Sequence, residues 1–203
     1  MDLTRFNELM RVRRVYRPAQ QPEEWMMFLQ LCEMYLKTHG IKKPIVVEIG
    51  ILYGTQRKFY EEFFNAEYIG IDCSDGRKVP DILGDSRDPE TLKVLEERLG
   101  GRPIDILFID GLHTYDGVKQ DFWAYSPLCS GIVAFHDIEA GRFEGVKKKQ
   151  VWKFWDDLKE ESYIKDGPYK EWLFLSIHRY CIHRRMDRRL GIGVIIKDGS
   201  DPL

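Results

Sequence analysis

The 203-residue chain carries 43% hydrophobic and 32% charged residues with a formal charge of −2, a balance that suits one sizeable core and is short for two complete domains. The near-neutral charge excludes the basic excess of a general nucleic-acid binder, and no apolar run reaches transmembrane length. Four cysteines at 32, 73, 129 and 181 form no CxxC pair and fit neither a zinc ribbon nor a disulfide scaffold. With no apolar signal segment at the N-terminus, the expected location is cytoplasmic.

Residues 1–43 read as a helical extension. In EEWMMFLQLCEMYLKTHG, 23–40, the residues Met26, Met27, Leu29, Leu31, Met34, Tyr35 and Leu36 form a broad apolar face, and Gly40 supplies a stop. This face is expected to join the core, with a partner contact as the alternative. From 44 onward, strand and helix alternate. PIVVEIG is a strand, TQRKFYEEFF a helix, EYIGID and PDILGD strands, and DPETLKVLEERLG a helix opened by Asp88-Pro89. DILFID, YDGVKQDFWAYSPL and GIVAFHD then read as strand, helix and strand. Apolar runs without strict alternation, separated by helices, mean strands covered on both faces. Right-handed crossovers turn them into a Rossmann-like, doubly wound α/β fold with a mostly parallel sheet. Beyond 139, GRFEGVKKKQVWKFWDDLKEE reads as a loop and a helix, and two late apolar stretches as an antiparallel edge hairpin.

Ligands of such a sheet bind beyond the carboxyl ends of its strands. Those ends carry Glu48 with Gly50 and Gly54, then Asp72, Asp85-Ser86, Asp110, and His136-Asp137. One acid there is an ordinary helix cap. Five acidic ends in series would repel one another strongly unless cationic or hydroxyl-rich groups met them. EIGILYG lacks the GxGxxG of a dinucleotide site. Asp72 lies where an acid accepts ribose hydroxyls, and an acid-lined pocket without a phosphate cradle suits a cationic nucleoside.

E-I-G-x-x-x-G, G-I-D, G-D-S, F-I-D-G-x-H-x-Y and F-H-D together resemble the class I S-adenosylmethionine-dependent methyltransferases, in the branch of the macrocin-type sugar O-methyltransferases and cephalosporin-hydroxylase-like proteins. The resemblance covers about 44–138. It implies a seven-stranded methyltransferase-like domain over 44–203 with a variable insert at 139–170. It implies S-adenosylmethionine held by Glu48, Gly50, Gly54, Asp72, Asp85, Ser86 and Asp110. It also implies a divalent cation, Mg2+ or Mn2+, on Asp110 and Asp137, with His113 as the general base. His136 departs from the pattern, since an acid is frequent there. A nitrogen ligand suits manganese, iron or zinc better than magnesium, so either His136 is no ligand or the metal is not strictly magnesium. Segment 1–43 is expected to cap the substrate or to form an oligomer contact, including a homodimer.

Basic clusters at 11–17, 147–149 and 183–189 read first as solvated faces and second as contacts to an anionic sugar or glycan. Trp152, Trp155 and Trp172 read as core, with sugar stacking as the alternative. The leading reading is O-methylation of a small hydroxyl-bearing acceptor, without nucleic acid or membrane. An RNA methyltransferase and a non-catalytic nucleoside-binding module remain as alternatives. A nicotinamide dehydrogenase is disfavoured.

Overall fold

A computed structural model of the chain describes residues 1–11, 20–75, 80–142, 149–160, 169–176, 179–181 and 186–197. Positions 12–17, 147–148 and 183–185 of the basic clusters lie outside the described residues, as does the Trp172 side chain.

Two helices come first, α1 (Leu3–Met10) and α2 (Pro22–Thr38). Then follow β1 (Ile45–Ile49), α3 (Arg57–Phe64), β2 (Glu67–Asp72), β3 (Ile82–Leu83), α4 (Pro89–Leu99), β4 (Ile104–Ile109), α5 (Tyr115–Tyr125), β5 (Cys129–His136) and α6 (Val151–Glu160). Four strands complete the described chain: β6 (Tyr169–Leu175), β7 (Arg179–Cys181), β8 (Met186–Arg188) and β9 (Ile192–Lys197). The main sheet has seven strands in the order β3-β2-β1-β4-β5-β9-β6. Its first five members run parallel, and β9 is antiparallel to both β5 and β6. β7 and β8 pair as a small separate hairpin that the sequence reading did not contain.

The parallel strands are buried on both faces, which explains their unbroken apolar runs. Ile45, Val47 and Ile49 of β1 enter one cluster with α4, α5 and α6, while Val46 enters the other with α1, α2 and α3. Alternation along one strand thus divides its side chains between two helical layers. Local signals set the helix ends. Asp88 caps α4 by accepting from the Glu90 amide at 3.0 Å, and Gly100 ends the helix at φ +59°.

Helix α2 is a core layer, and its buried stripe is narrower and shifted from the expected Met-rich face. Trp25, Phe28, Leu29, Cys32, Tyr35 and Leu36 are buried, whereas Met34 is 61% exposed. The stripe follows spacings of three and four, and the methionines at 26 and 27 fall on its flanks. Trp25 is the hub, with the rings of Phe28, Phe59, Tyr60 and Phe108 at 5.5, 5.9, 5.6 and 5.6 Å. Trp25→Ala should therefore lower unfolding free energy in urea by about 3–5 kcal/mol.

Candidate functional site

The chain winds outward from β1 to β3 and returns to β4 on the other side of β1, so strand order reverses between β1 and β4. A cavity of about 440 Å3 opens there, beyond the carboxyl ends of the strands, within the range of small-ligand sites. Gly50 forms its floor at φ +84°, and a side chain there would drive its Cβ into the Asp110 carbonyl oxygen. Only glycine allows both the left-handed turn and this approach of β1 to β4. The bend is fixed by the Gly50 amide donating to Ile71 O at 2.9 Å and the Asp110 amide donating to Ile49 O at 2.8 Å.

Of the residues expected to hold a cofactor, Gly50, Asp72, Asp85, Ser86 and Asp110 line this cavity. Asp72 Oδ2 accepts from the Ile51 and Leu52 amides at 3.0 and 3.1 Å, and Oδ1 from the Ser74 amide at 2.9 Å. The carboxylate thus shapes the β1 turn that it faces. Asp85 is held by Arg87, from Nε at 2.9 Å and Nη2 at 2.5 Å, which lowers its pKa to about 2. Ser86 Oγ donates to Asp121 Oδ1 at 2.6 Å, and Tyr125 Oη donates to the Ser86 carbonyl at 2.9 Å.

Glu48 and Gly54 are off the cavity wall. The Glu48 side chain is fully buried and accepts from Tyr68 Oη at 2.6 Å. Alternation explains this: Glu48 shares the β1 face of Val46, toward α1–α3, so its position at the strand end does not bring it into the cavity. Burial pushes its carboxyl well above the usual range, with Asp110 adding to the rise and Tyr68 opposing it.

The other half of the cavity gathers Asp110, His113, His136 and Asp137. Asp110 is gripped on both oxygens, with His136 Nδ1 at 3.0 Å from Oδ1 and Gln20 Nε2 donating to Oδ2 at 2.9 Å. Asp137 stands at φ +62°, a left-handed conformation that aspartate tolerates better than most residues. Its Oδ2 meets His113 Nδ1 at 2.8 Å and Lys149 Nζ at 2.5 Å. Burial by itself lowers the His136 pKa, but Asp110 and Asp137 outweigh it and hold the imidazole up at about 9. Burial likewise pushes Asp137 up, yet His136, His113 and Lys149 together carry it well below the ordinary aspartate range.

The three expected metal ligands, Asp110, His136 and Asp137, therefore meet in space, but their donor set does not fit a divalent cation. Three of the four carboxylate oxygens already face protein donors. Among the described residues Asp137 Oδ1 and His136 Nε2 have no hydrogen-bond partner, and Oδ1 lies 3.6 Å from His136 Nδ1. Magnesium wants several oxygen ligands, and among the described residues no group of three His, Cys, Asp or Glu side chains is arranged to hold a metal ion.

Three residues that complete the site escaped sequence reading. Gln20 follows a stretch with no periodicity, and Lys149 sat in a run read as solvated. Asp121 did leave a signal, since it lies three residues after Val118 and four before Tyr125 on the buried stripe of α5. Among the described residues no helix is long and apolar enough to cross a membrane.

Comparison with known proteins bears on the fold. Residues 67–138 match a family model described as a methyltransferase domain. No curated protein matches the chain. Among solved structures, MycE methyltransferase from the mycinamycin biosynthetic pathway, in complex with Mg and SAH, superimposes with a TM-score of 0.61 at 17% identity, covering 98% of this chain and 56% of that one. The chain thus spans little more than half the length of MycE. TomG, an O-methyltransferase from Streptomyces achromogenes involved in tomaymycin synthesis, solved with SAM, gives 0.60 at 14% identity over 98% and 92%. An O-methyltransferase from Bacillus cereus in complex with SAH gives 0.51 at 11% identity over 97% and 92%. The fold is that of the class I S-adenosylmethionine-dependent methyltransferases, as the sequence motifs implied.

Asp121 offers a test of how the site is held. Burial pushes its carboxyl up to about 6, with Ser86 and Arg87 pulling the other way. An unfolded aspartate titrates near 3.9, so between about pH 4 and 6 the folded chain holds a proton that the unfolded chain has released. Stability from this group is then present below about pH 4 and is lost as pH rises through 6. Relative to Asp121→Asn, the wild type should lose up to about 3 kcal/mol between pH 4 and 7, measured as urea midpoints of the two proteins along the pH series.

Proposed function

We propose that the chain is an S-adenosylmethionine-dependent O-methyltransferase acting on a small hydroxyl-bearing molecule, with His113 as its general base. The observation that carries this reading is the His113–Asp137 pair at the mouth of the cavity. Asp137 is 1% exposed and fixes Nδ1 of a histidine whose ring remains open to the cavity. A carboxylate on Nδ1 selects the tautomer with its proton there, which leaves Nε2 as a proton acceptor.

The cavity fits the cofactor in outline. Asp72 at the end of β2 would hold the ribose hydroxyls, while Asp85 and Ser86 at the end of β3 would face the adenine. The Gly50 turn and Asp110 would border the methionine part. S-adenosylmethionine, when bound, supplies a sulfonium methyl whose carbon is taken by the acceptor oxygen as the carbon–sulfur pair returns to sulfur. His113 Nε2 takes the proton from that hydroxyl as the oxygen attacks. No covalent intermediate with the protein is needed, so orientation and proton removal are the chain's contribution. The complex of MycE with Mg, SAH and mycinamycin VI supports a small-molecule acceptor over RNA, as does the near-neutral charge.

Calorimetric titration with S-adenosylhomocysteine tests the first half of this reading. The wild type should bind. Asp72→Asn keeps an oxygen for the Ile51 and Leu52 amides but loses the charge, and should bind about tenfold more weakly. Absence of binding to the wild type overturns the reading. The second half is tested with labelled S-adenosylmethionine and a panel of macrolides and sugars. His113→Ala should cut transfer by about 100-fold or more while leaving S-adenosylhomocysteine affinity intact.

A further inference from the structure

Accepting that reaction, we propose that Lys149, paired with Asp137, takes the place of a divalent cation in the site, so that this chain transfers methyl groups without a metal. Three observations lead there. First, the Lys149 ammonium lies 2.5 Å from Asp137 Oδ2, on the same oxygen that His113 approaches at 2.8 Å. Second, Asp110 is already satisfied by Gln20 and His136, so neither acid presents the pair of open oxygens that a hard cation needs. Third, Lys149 is held in position by its neighbour. The Gln150 amide donates to the His113 carbonyl at 2.8 Å, and Gln150 Oε1 accepts from the Tyr115 amide at 3.3 Å. The turn that carries the base therefore also anchors the residue beside the lysine.

The chemistry of the exchange is plain. A divalent ion beside a hydroxyl makes its proton easier to remove and holds the oxygen in place. An ammonium is a fixed positive charge with three donors. It can offer one hydrogen to the acceptor oxygen while another remains on Asp137, and it favours the negative charge that grows as His113 removes the proton. The methyl group and electron pair move as stated above, and Lys149 keeps its own proton throughout. Its presence also disfavours a metal, because a cation approaching Asp137 would meet like charge.

The test reads metal binding directly. The wild type and Lys149→Met are loaded with S-adenosylhomocysteine and titrated with Mn2+, with free Mn2+ followed by electron paramagnetic resonance. A thermal melt of each protein checks folding, and Lys149→Arg serves as a charge-retaining second variant. The expected result is little Mn2+ bound by the wild type and by Lys149→Arg, at least tenfold tighter binding by Lys149→Met, and methyl transfer by the wild type unaffected by chelator. Mn2+ binding by the wild type as tight as by Lys149→Met overturns the proposal, and so does transfer that chelator abolishes. S-adenosylhomocysteine binding is measured in the same samples. If it fails, the methyltransferase reading falls; if it succeeds while Mn2+ also binds the wild type, only the role of Lys149 falls.

Discussion

The site rests on the need to neutralise carboxylates crowded along one edge of the sheet. Each is met by a different kind of partner. Backbone amides of the first turn meet Asp72, and a neighbouring guanidinium meets Asp85. A carboxamide and an imidazole meet Asp110, while an ammonium and a second imidazole meet Asp137. Glu48, turned inward, accepts from the Tyr68 hydroxyl. Burial of charge is costly unless it is paired and hydrogen-bonded, so these partners determine which acids remain open to a ligand. Asp72 still borders the cavity, and the inward Glu48 does not.

The same neutralisation joins distant parts of the chain. Gln20, just ahead of α2, reaches Asp110 at the end of β4. Lys149, just ahead of α6, reaches Asp137 at the end of β5. The entry segments of two helices on opposite faces of the sheet thus converge on adjacent strand ends. The N-terminal region, which read as an extension, provides both a core layer through Trp25 and a polar contact within the site.

Much of the architecture was legible because buried parallel strands and capped helices leave strong local marks. Ile45–Ile49 and Ile104–Ile109 could be read from their unbroken apolar runs, and α4 from Asp88, Pro89 and Gly100. The ends of the strands gave the acids in order, and hence most of the ionisable groups in the cavity wall. What could not be read was pairing across space. No spacing rule connects Gln20 to Asp110 or Lys149 to Asp137, and the face on which Glu48 falls depends on strand register. The β7–β8 hairpin, with three residues on each side, is too short to leave a periodic signal.

Strand β9 has a consequence for how the molecule is made. It lies between β5 and β6, and the Glu139 amide donates to the Leu190 carbonyl at 2.8 Å, close to the Asp137 turn. The Gly191 amide beside it donates to Glu24 Oε2, across 167 positions of sequence. Contacts of such long range form late, since the loop must close before they repay its entropy. On the ribosome, the strands up to β5 can pair as they emerge, but the bend that carries Asp137 lacks its brace until residues 190–197 arrive. During that interval the outer edge of β5 has no neighbour and exposes unpaired backbone groups to other chains. The period of greatest risk of misassembly is thus also the period before the site exists.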